Sequence, residues 1–281
     1  MEWTIYKQSI EKPDNDIFDN KVIRENEDAI NVINKSIFGL SDGAGGVGIF
    51  AKEWASTLVD NLPLQPIKSK SELTNWIGTF WEHFYNEKLK LTKQDSFLER
   101  KFENEGSYAT LCCLWMNEKG NEIDYLSYGD SLIFKYNTVS KDLIVQNYFK
   151  DFSKLDENPN LLNWKDEVID ENSLCIGEWS INNGDIYFIA SDALAHFIYG
   201  YYLIAIKSNV IESEMFNNMK ISKYLNELKE LPLGDFDDLI LDLKNVTKTK
   251  RAFTKYLKQL WRNKMIQRDD YSLIIIEPKK V

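Results

Sequence analysis

Between Ser36 and Ala55 the chain reads SIFGLSDGAGGVGIFAKEWA, an apolar run that ends in an aspartate, breaks into glycines and restarts with helical spacing. Ser36 to Leu40 has the β-branched and aromatic content of a short buried strand, and Asp42-Gly43 sets a carboxylate on permissive backbone at its end. Val47, Phe50, Ala51, Trp54 and Leu58 then fall at i, i+3, i+4, i+7 and i+11, one face of a helix. A carboxylate at a strand end, beside residues too small to shield it, suits a hard oxygen ligand for a cation. The same residues admit a second reading, because Gly43, Gly45 and Gly48 spell G-x-G-x-x-G between a strand and a helix. Against a dinucleotide fold, Asp42 would face the pyrophosphate with a negative charge, and the Pro-containing stretch Asn61 to Ile67 leads into another helix instead of a second strand.

Composition narrows the partners. With 34 Lys and Arg against 44 Asp and Glu the net charge is −10, which argues against a nucleic-acid partner held by a phosphate-neutralising surface, although a local basic patch is allowed. A hydrophobic fraction of 43% over 281 residues supports a large core, and the length allows one or two domains, a single large α/β or α+β domain over 1–281 among them. The opening MEWTIYKQSI has no apolar signal region and no run of about 18 apolar residues follows, so no membrane partner and a cytoplasmic location are expected. Cys112, Cys113 and Cys175 read as reduced core residues. His83 and His196 are the only histidines, which leaves any chemistry to carboxylates.

In chain order, Met1 to Ser9 reads as an outer strand. Lys21 to Val32 (KVIRENEDAINV) places Glu27 and Asp28 beside Asp42 if it pairs with the Ser36 to Leu40 strand. Ser69-x-x-Glu72 is a capping box opening one long amphipathic helix from Ser71 to about Lys90, followed by a polar loop over Gln94 to Glu105. Thr110 to Met116 reads as a strand buried on both faces; Asn121 to Tyr128, Ser131 to Tyr136 and Leu143 to Tyr148 continue it as a meander turning at Lys119-Gly120 and Gly129-Asp130. Phe149 to Asn172 is a semi-ordered excursion. Asp185 to Ala190 is a strand ending in Ser191-Asp192 and a helix; Lys207 to Lys248 is helical with breaks at Pro232 and Gly234. Phe253, Leu257, Leu260 and Trp261 mark one more helix, and Asp269-Asp270 opens a last strand, Tyr271 to Ile276.

Three strands thus meet acidic residues at their ends: Asp42, Asp192 and Asp269. Gathering such carboxylates raises their pKa values and costs stability, and bound divalent cations are the simplest compensation. Oxygen-only ligation suits Mg²⁺ or Mn²⁺, and two such ions about 3.5–4 Å apart can activate a bridging water and clamp a phosphoryl oxygen.

Taken in order, Arg24 to Asp28 (RENED), Ser41 to Gly46 (SDGAGG), Gly106 to Ala109 (GSYA), Gly129 to Ser131 (GDS), Ser191 to Ala193 (SDA) and Asp269 to Ser272 (DDYS) resemble the ordered motifs of the metal-dependent protein phosphatases of the type 2C class. The resemblance implies an α-β-β-α sandwich of two antiparallel sheets flanked by helices, with two Mn²⁺ or Mg²⁺ ions in the cleft at the sheet edges. It implies that Asp42 bridges both ions, that the Gly43 carbonyl binds the second, and that Asp192 and Asp269 bind the first. It further implies that Glu27 and Asp28 act mainly through metal-bound waters, that Asp130 matches the site of a weaker third ion in some relatives, and that Phe149 to Asn172 matches a variable substrate flap.

The same resemblance implies hydrolysis of phosphoserine or phosphothreonine in a phosphoprotein, phosphorylated by a serine/threonine kinase, through attack of a metal-bridging hydroxide. Several positions depart from the pattern. Arg24 stands four residues before Asp28 where the family's phosphate-contacting arginine stands five before. Ala44 replaces a histidine of many eukaryotic relatives, Ala193 a glycine and Leu132 an arginine, a pattern similar to the divergent bacterial branch. The alternative from another class is an inactive relative that keeps the fold as a binding module.

Overall fold

The computed structural model describes residues 2–13, 25–146, 158–166, 169–206, 219–230 and 234–279. Twelve strands occur among them: β1 (Trp3–Ile10), β2 (Ala29–Ile33), β3 (Ile37–Ser41), β4 (Tyr108–Ala109), β5 (Leu111–Met116), β6 (Glu122–Tyr128), β7 (Leu132–Asn137), β8 (Leu143–Gln146), β9 (Leu162–Asn163), β10 (Leu174–Ser180), β11 (Asp185–Ala190) and β12 (Tyr271–Pro278). They form two five-stranded antiparallel sheets, ordered β1-β12-β11-β7-β8 and β10-β6-β5-β3-β2, and a small β4-β9 pair. Eight α-helices flank them: α1 (Ala51–Asp60), α2 (Lys70–Gly78), α3 (Trp81–Thr92), α4 (Ser96–Glu105), α5 (Asp192–Ile206), α6 (Met219–Lys229), α7 (Phe236–Val246) and α8 (Lys250–Arg262).

Strand alternation builds the layers. In β12, Ile274 and Ile276 point between the sheets while Tyr271, Leu273 and Ile275 point outward under α5 to α8; in β5, Cys112 and Leu114 point inward while Leu111, Cys113 and Trp115 lie under α1 to α4. Central strands are therefore apolar on both faces and the cores stack as three slabs between four layers. The α+β sandwich expected from sequence is the observed fold, and its antiparallel sheets overturn the dinucleotide reading, which needs parallel β-α-β crossovers.

Several local expectations need correction. The helix after Gly48 begins at Ala51, because Phe50 takes a left-handed turn with φ 59° and packs edge-on against Phe102; Val47 is 53% exposed in the turn. The long helix is two, α2 and α3, broken at Thr79-Phe80. In the capping box, Ser69 Oγ accepts from Glu72 N–H at 3.2 Å, but Glu72 accepts from Lys68 N–H at 2.7 Å. Gln94 to Glu105 contains a helix: Asp95 caps it by accepting from the N–H groups of Phe97 and Leu98, and fully buried Phe102 anchors it. Gly129-Asp130 does not close a hairpin; β6 and β7 belong to different sheets, and the chain changes sheet there. Strand β10 has no counterpart in the sequence reading. Of the excursion, residues 158–166 return to the body, β9 pairing with β4 and Trp164 packing among Tyr85 and Phe102.

Candidate metal centre

One end of the sandwich collects acidic residues from both sheets. Register fixes this: Ala29 pairs with Ser41, so Asp28 before β2 stands beside Asp42 after β3. In the other sheet Ala190 pairs with Leu132 and with Leu273, which brings Asp192 after β11, Asp130 before β7 and Asp269 before β12 to the same end. Lys12, Glu27, Asp42, Gly43, Asp130, Asp192 and Asp269 line one pocket of about 320 Å³, together with Pro159 and Leu161 from the excursion.

Asp42 is held by backbone pairing to Thr110. Its N–H donates to Thr110 Oγ1 at 2.9 Å, Thr110 N–H donates to the Asp42 carbonyl at 2.8 Å, and Thr110 Oγ1 lies 2.9 Å from Ser131 Oγ. The glycines after it allow close packing: a Cβ on Gly45 would lie 2.0 Å from Glu27 Oε1, so the Glu27 carboxylate rests directly on that turn. The Gly43 carbonyl accepts from Gly45 N–H at 3.2 Å. Asp192 opens α5, its carboxylate turned back onto the N–H of Ala193. Asp269 pairs with Lys12 Nζ at 3.5 Å.

The electrostatics record the crowding. Burial drives the Asp42 carboxyl well above the usual range, and the charges of Asp28, Asp192, Asp130 and Asp269 add to the shift. Asp192 is raised in the same way by burial and by Asp130 and Asp269. Asp130 is pushed up to about 6 by burial, reinforced by Asp269. Asp28 is pushed up to about 7, chiefly by burial; both of its carboxylate oxygens are buried without a hydrogen-bond partner, and the nearby Ser272 and Ser191 hydroxyls temper the shift without bonding in good geometry. Glu27 is raised by burial, with Lys12 opposing. Burial works against the Lys12 ammonium, but Asp269, Asp270 and Glu27 together outweigh it and hold Lys12 above the usual lysine range.

Every side-chain donor here other than Lys12 is a hard oxygen, and two orphaned oxygens on a buried carboxyl are a cost that a cation or its water shell would remove; the set fits Mn²⁺ or Mg²⁺. Among the described residues, no three Asp, Glu, His or Cys side chains stand close enough together to close a coordination shell. Ligation through the oxygens already engaged would compete with Ala193 N–H at Asp192 and with Lys12 at Asp269.

Six of the acidic positions picked out by sequence therefore converge: Asp42, Asp130, Asp192, Asp269, Glu27 and, at the adjoining strand end, Asp28. Arg24 lies outside the described residues. Sequence reasoning missed Lys12, for which the only signal is a lone cation just past an edge strand, and it missed the role of Asp270. That buried carboxylate accepts from Lys12 N–H at 2.7 Å and Glu27 N–H at 2.8 Å, fixing two chain segments at the pocket.

No family profile matches the sequence, and no similar curated protein was found. Solved structures do match. The catalytic domain of the serine threonine protein phosphatase PstP, in complex with two manganese ions, is 15% identical over 98% of this chain and 97% of that chain, with a TM-score of 0.51. Stp1 from Staphylococcus aureus is 14% identical over 99% and 95%, with a TM-score of 0.52. PppA, a regulatory component of T6SS in Pseudomonas aeruginosa, is 17% identical over 99% and 98%, with a TM-score of 0.52. The chain has the fold of the bacterial serine/threonine phosphatases of the type 2C kind.

Proposed function

We propose that the protein is a Mn²⁺- or Mg²⁺-dependent phosphoprotein phosphatase acting on phosphoserine or phosphothreonine. The observation that supports this is the convergence of carboxylates from both sheets on one pocket, with Asp28 buried and unpartnered behind it. Asp42, Asp192, Asp269 and the Gly43 carbonyl would hold two divalent cations, Glu27 and Asp28 would orient their water shell, and Asp130 would serve a weaker third ion. When bound, such cations activate a water as the nucleophile and clamp the phosphoryl oxygens for in-line displacement. The chain's own part is positional. The Thr110 pairing fixes Asp42, the Asp270 clamp fixes Glu27, and Pro159 and Leu161 narrow the mouth on the side of the excursion, whose Phe149 to Asn172 we assign as the substrate flap. Arg24 is assigned to the substrate phosphate by resemblance alone. Hydrolysis of an aryl phosphate by the purified chain, with Mn²⁺ and with excess chelator, tests the reading; equal turnover in chelator sinks it.

A second reading has its own support. Asp192 is bonded to its own helix start and Asp269 to Lys12, an arrangement a metal-free binding module can keep. Melting separates the two, since only the enzyme reading requires the melting temperature to rise with Mn²⁺.

A further inference from the structure

Helix α8 carries a charge pattern at odds with the rest of the molecule. From Thr247 to Arg268 the sequence has eight Lys and Arg residues and no Asp or Glu, so the remaining chain carries −18, that is −10 minus 8. Phe253, Leu257 and Leu260 of α8 are buried in the core, while Arg251, Lys255, Lys258 and Arg262, at i, i+4, i+7 and i+11, form a stripe on the opposite side, with Arg251, Lys255 and Arg262 exposed and Lys258 part-exposed. At 1.5 Å per residue that stripe is about 16 Å long.

Helix stability does not account for it. Like charges three and four residues apart repel by about 0.2–0.5 kcal/mol per pair. Lys250 and Arg251 occupy the first turn, where the helix dipole disfavours cations, whereas α1, α2, α3, α4, α5 and α7 each place an acidic residue there. Lys250 has Glu11 at 3.5 Å, but among the described residues no carboxylate pairs with Arg251, Lys255 or Lys258.

We propose that the outer face of α8 docks a short acidic segment of a partner protein. The apolar side of the helix is committed to the core, so it has nothing to insert into a lipid surface. A long polyanion would run past a 16 Å stripe onto a body of charge −18. A short extended segment of about five to seven residues, with acidic side chains on alternate positions about 6.6–7 Å apart, sets its acids along about 13–21 Å and so is of the same length as the stripe. The surface is independent of the carboxylate pocket.

Fluorescence anisotropy with labelled hexaglutamate and hexaglutamine on the full chain tests this at low and moderate salt. Hexaglutamate should bind, more weakly as salt rises, and hexaglutamine should not. Arg251→Glu, Lys255→Glu and Lys258→Glu together should weaken hexaglutamate at least tenfold without lowering the melting temperature, because an acid then occupies the first turn; if that variant melts early, the Gln triple variant replaces it. Equal binding by the triple variant overturns the proposal. So does tighter binding of a 20-nucleotide single strand or a phosphatidylserine vesicle through the same residues, or a wild-type dimer in sedimentation that the variant lacks.

Discussion

The Lys12 ammonium stands 3.5 Å from the Asp269 carboxylate, and the backbone N–H of the same lysine is fixed 2.7 Å from Asp270 Oδ1. A monovalent side-chain cation therefore sits on the rim of a pocket whose other charged groups are carboxylates. Removing it with Lys12→Met leaves the cluster without its internal counter-charge. The variant should melt below wild type in chelator, bind Mn²⁺ more tightly because a competitor for Asp269 is gone, and so show a wider gap between its metal-free and Mn²⁺-loaded melting temperatures. Calorimetric titration with Mn²⁺ checks the affinity, and weaker binding would assign Lys12 a supporting role at the ion.

The raised carboxyls set a pH dependence. Asp28 at about 7 and Asp130 at about 6, with Asp42 and Asp192 shifted in the same direction, all hold protons in the folded chain that an unfolded chain has released near pH 4. Their contribution to stability is full below about pH 4 and is lost as pH rises through about 7. The metal-free melting temperature should accordingly fall between pH 5 and 8, while saturating Mn²⁺ flattens the fall and binds more tightly at the higher pH. Melts in chelator that rise over this window would contradict the crowding.

Asp42→Asn keeps the shape of the site and removes the carboxyl whose ionisation burial and four neighbouring carboxylates oppose. It should melt at or above metal-free wild type, lose most of the Mn²⁺-induced shift, which is about 2.7 kcal/mol at 100 times Kd, and lose hydrolysis. A mutant with the wild-type rate would place the chemistry elsewhere.

Adjacent Asp269 and Asp270 should separate cleanly. Asp270→Ala strands the N–H groups of Lys12 and Glu27, each bond to a charged acceptor being worth about 1.5–3 kcal/mol, so the melting temperature drops with or without Mn²⁺. Asp269→Ala loses a part-exposed ion pair worth about 0–1 kcal/mol and the bond its carboxylate accepts from Asp270 N–H at 2.9 Å, and should change chiefly the Mn²⁺-dependent part. Thermal melts of both variants, with metal and with chelator, decide between them.

Much of this was legible in sequence because the central strands are apolar on both faces and end abruptly in aspartates; Asp42, Asp192 and Asp269 stand out for that reason. What escaped has physical causes. Helix α4 presents a single fully buried side chain, Phe102, to the core, too little to create a periodic signal. Strand β10 is broken in pattern by Gly177, whose bare Cα lies beneath the Tyr125 hydroxyl, 2.2 Å from where a Cβ would be. The break between α2 and α3 falls inside a continuous apolar stripe, with Trp76 and Phe80 still packed ring to ring across it at 5.0 Å. Lys12 reaches the site through a bond to a residue 258 positions away, a relation that no local spacing encodes.

The change of sheet at Gly129-Asp130 gives the pocket a mechanical meaning. Asp28 and Asp42 belong to one sheet, Asp192 and Asp269 to the other, and Asp130 sits on the strap between them. An ion drawing in both sets would rivet the two sheets at one end of their shared apolar slab. Amide exchange at the β3, β7 and β11 ends nearest the rivet should then slow on metal binding more than at their opposite ends, making the seam the part of the molecule that feels occupancy first.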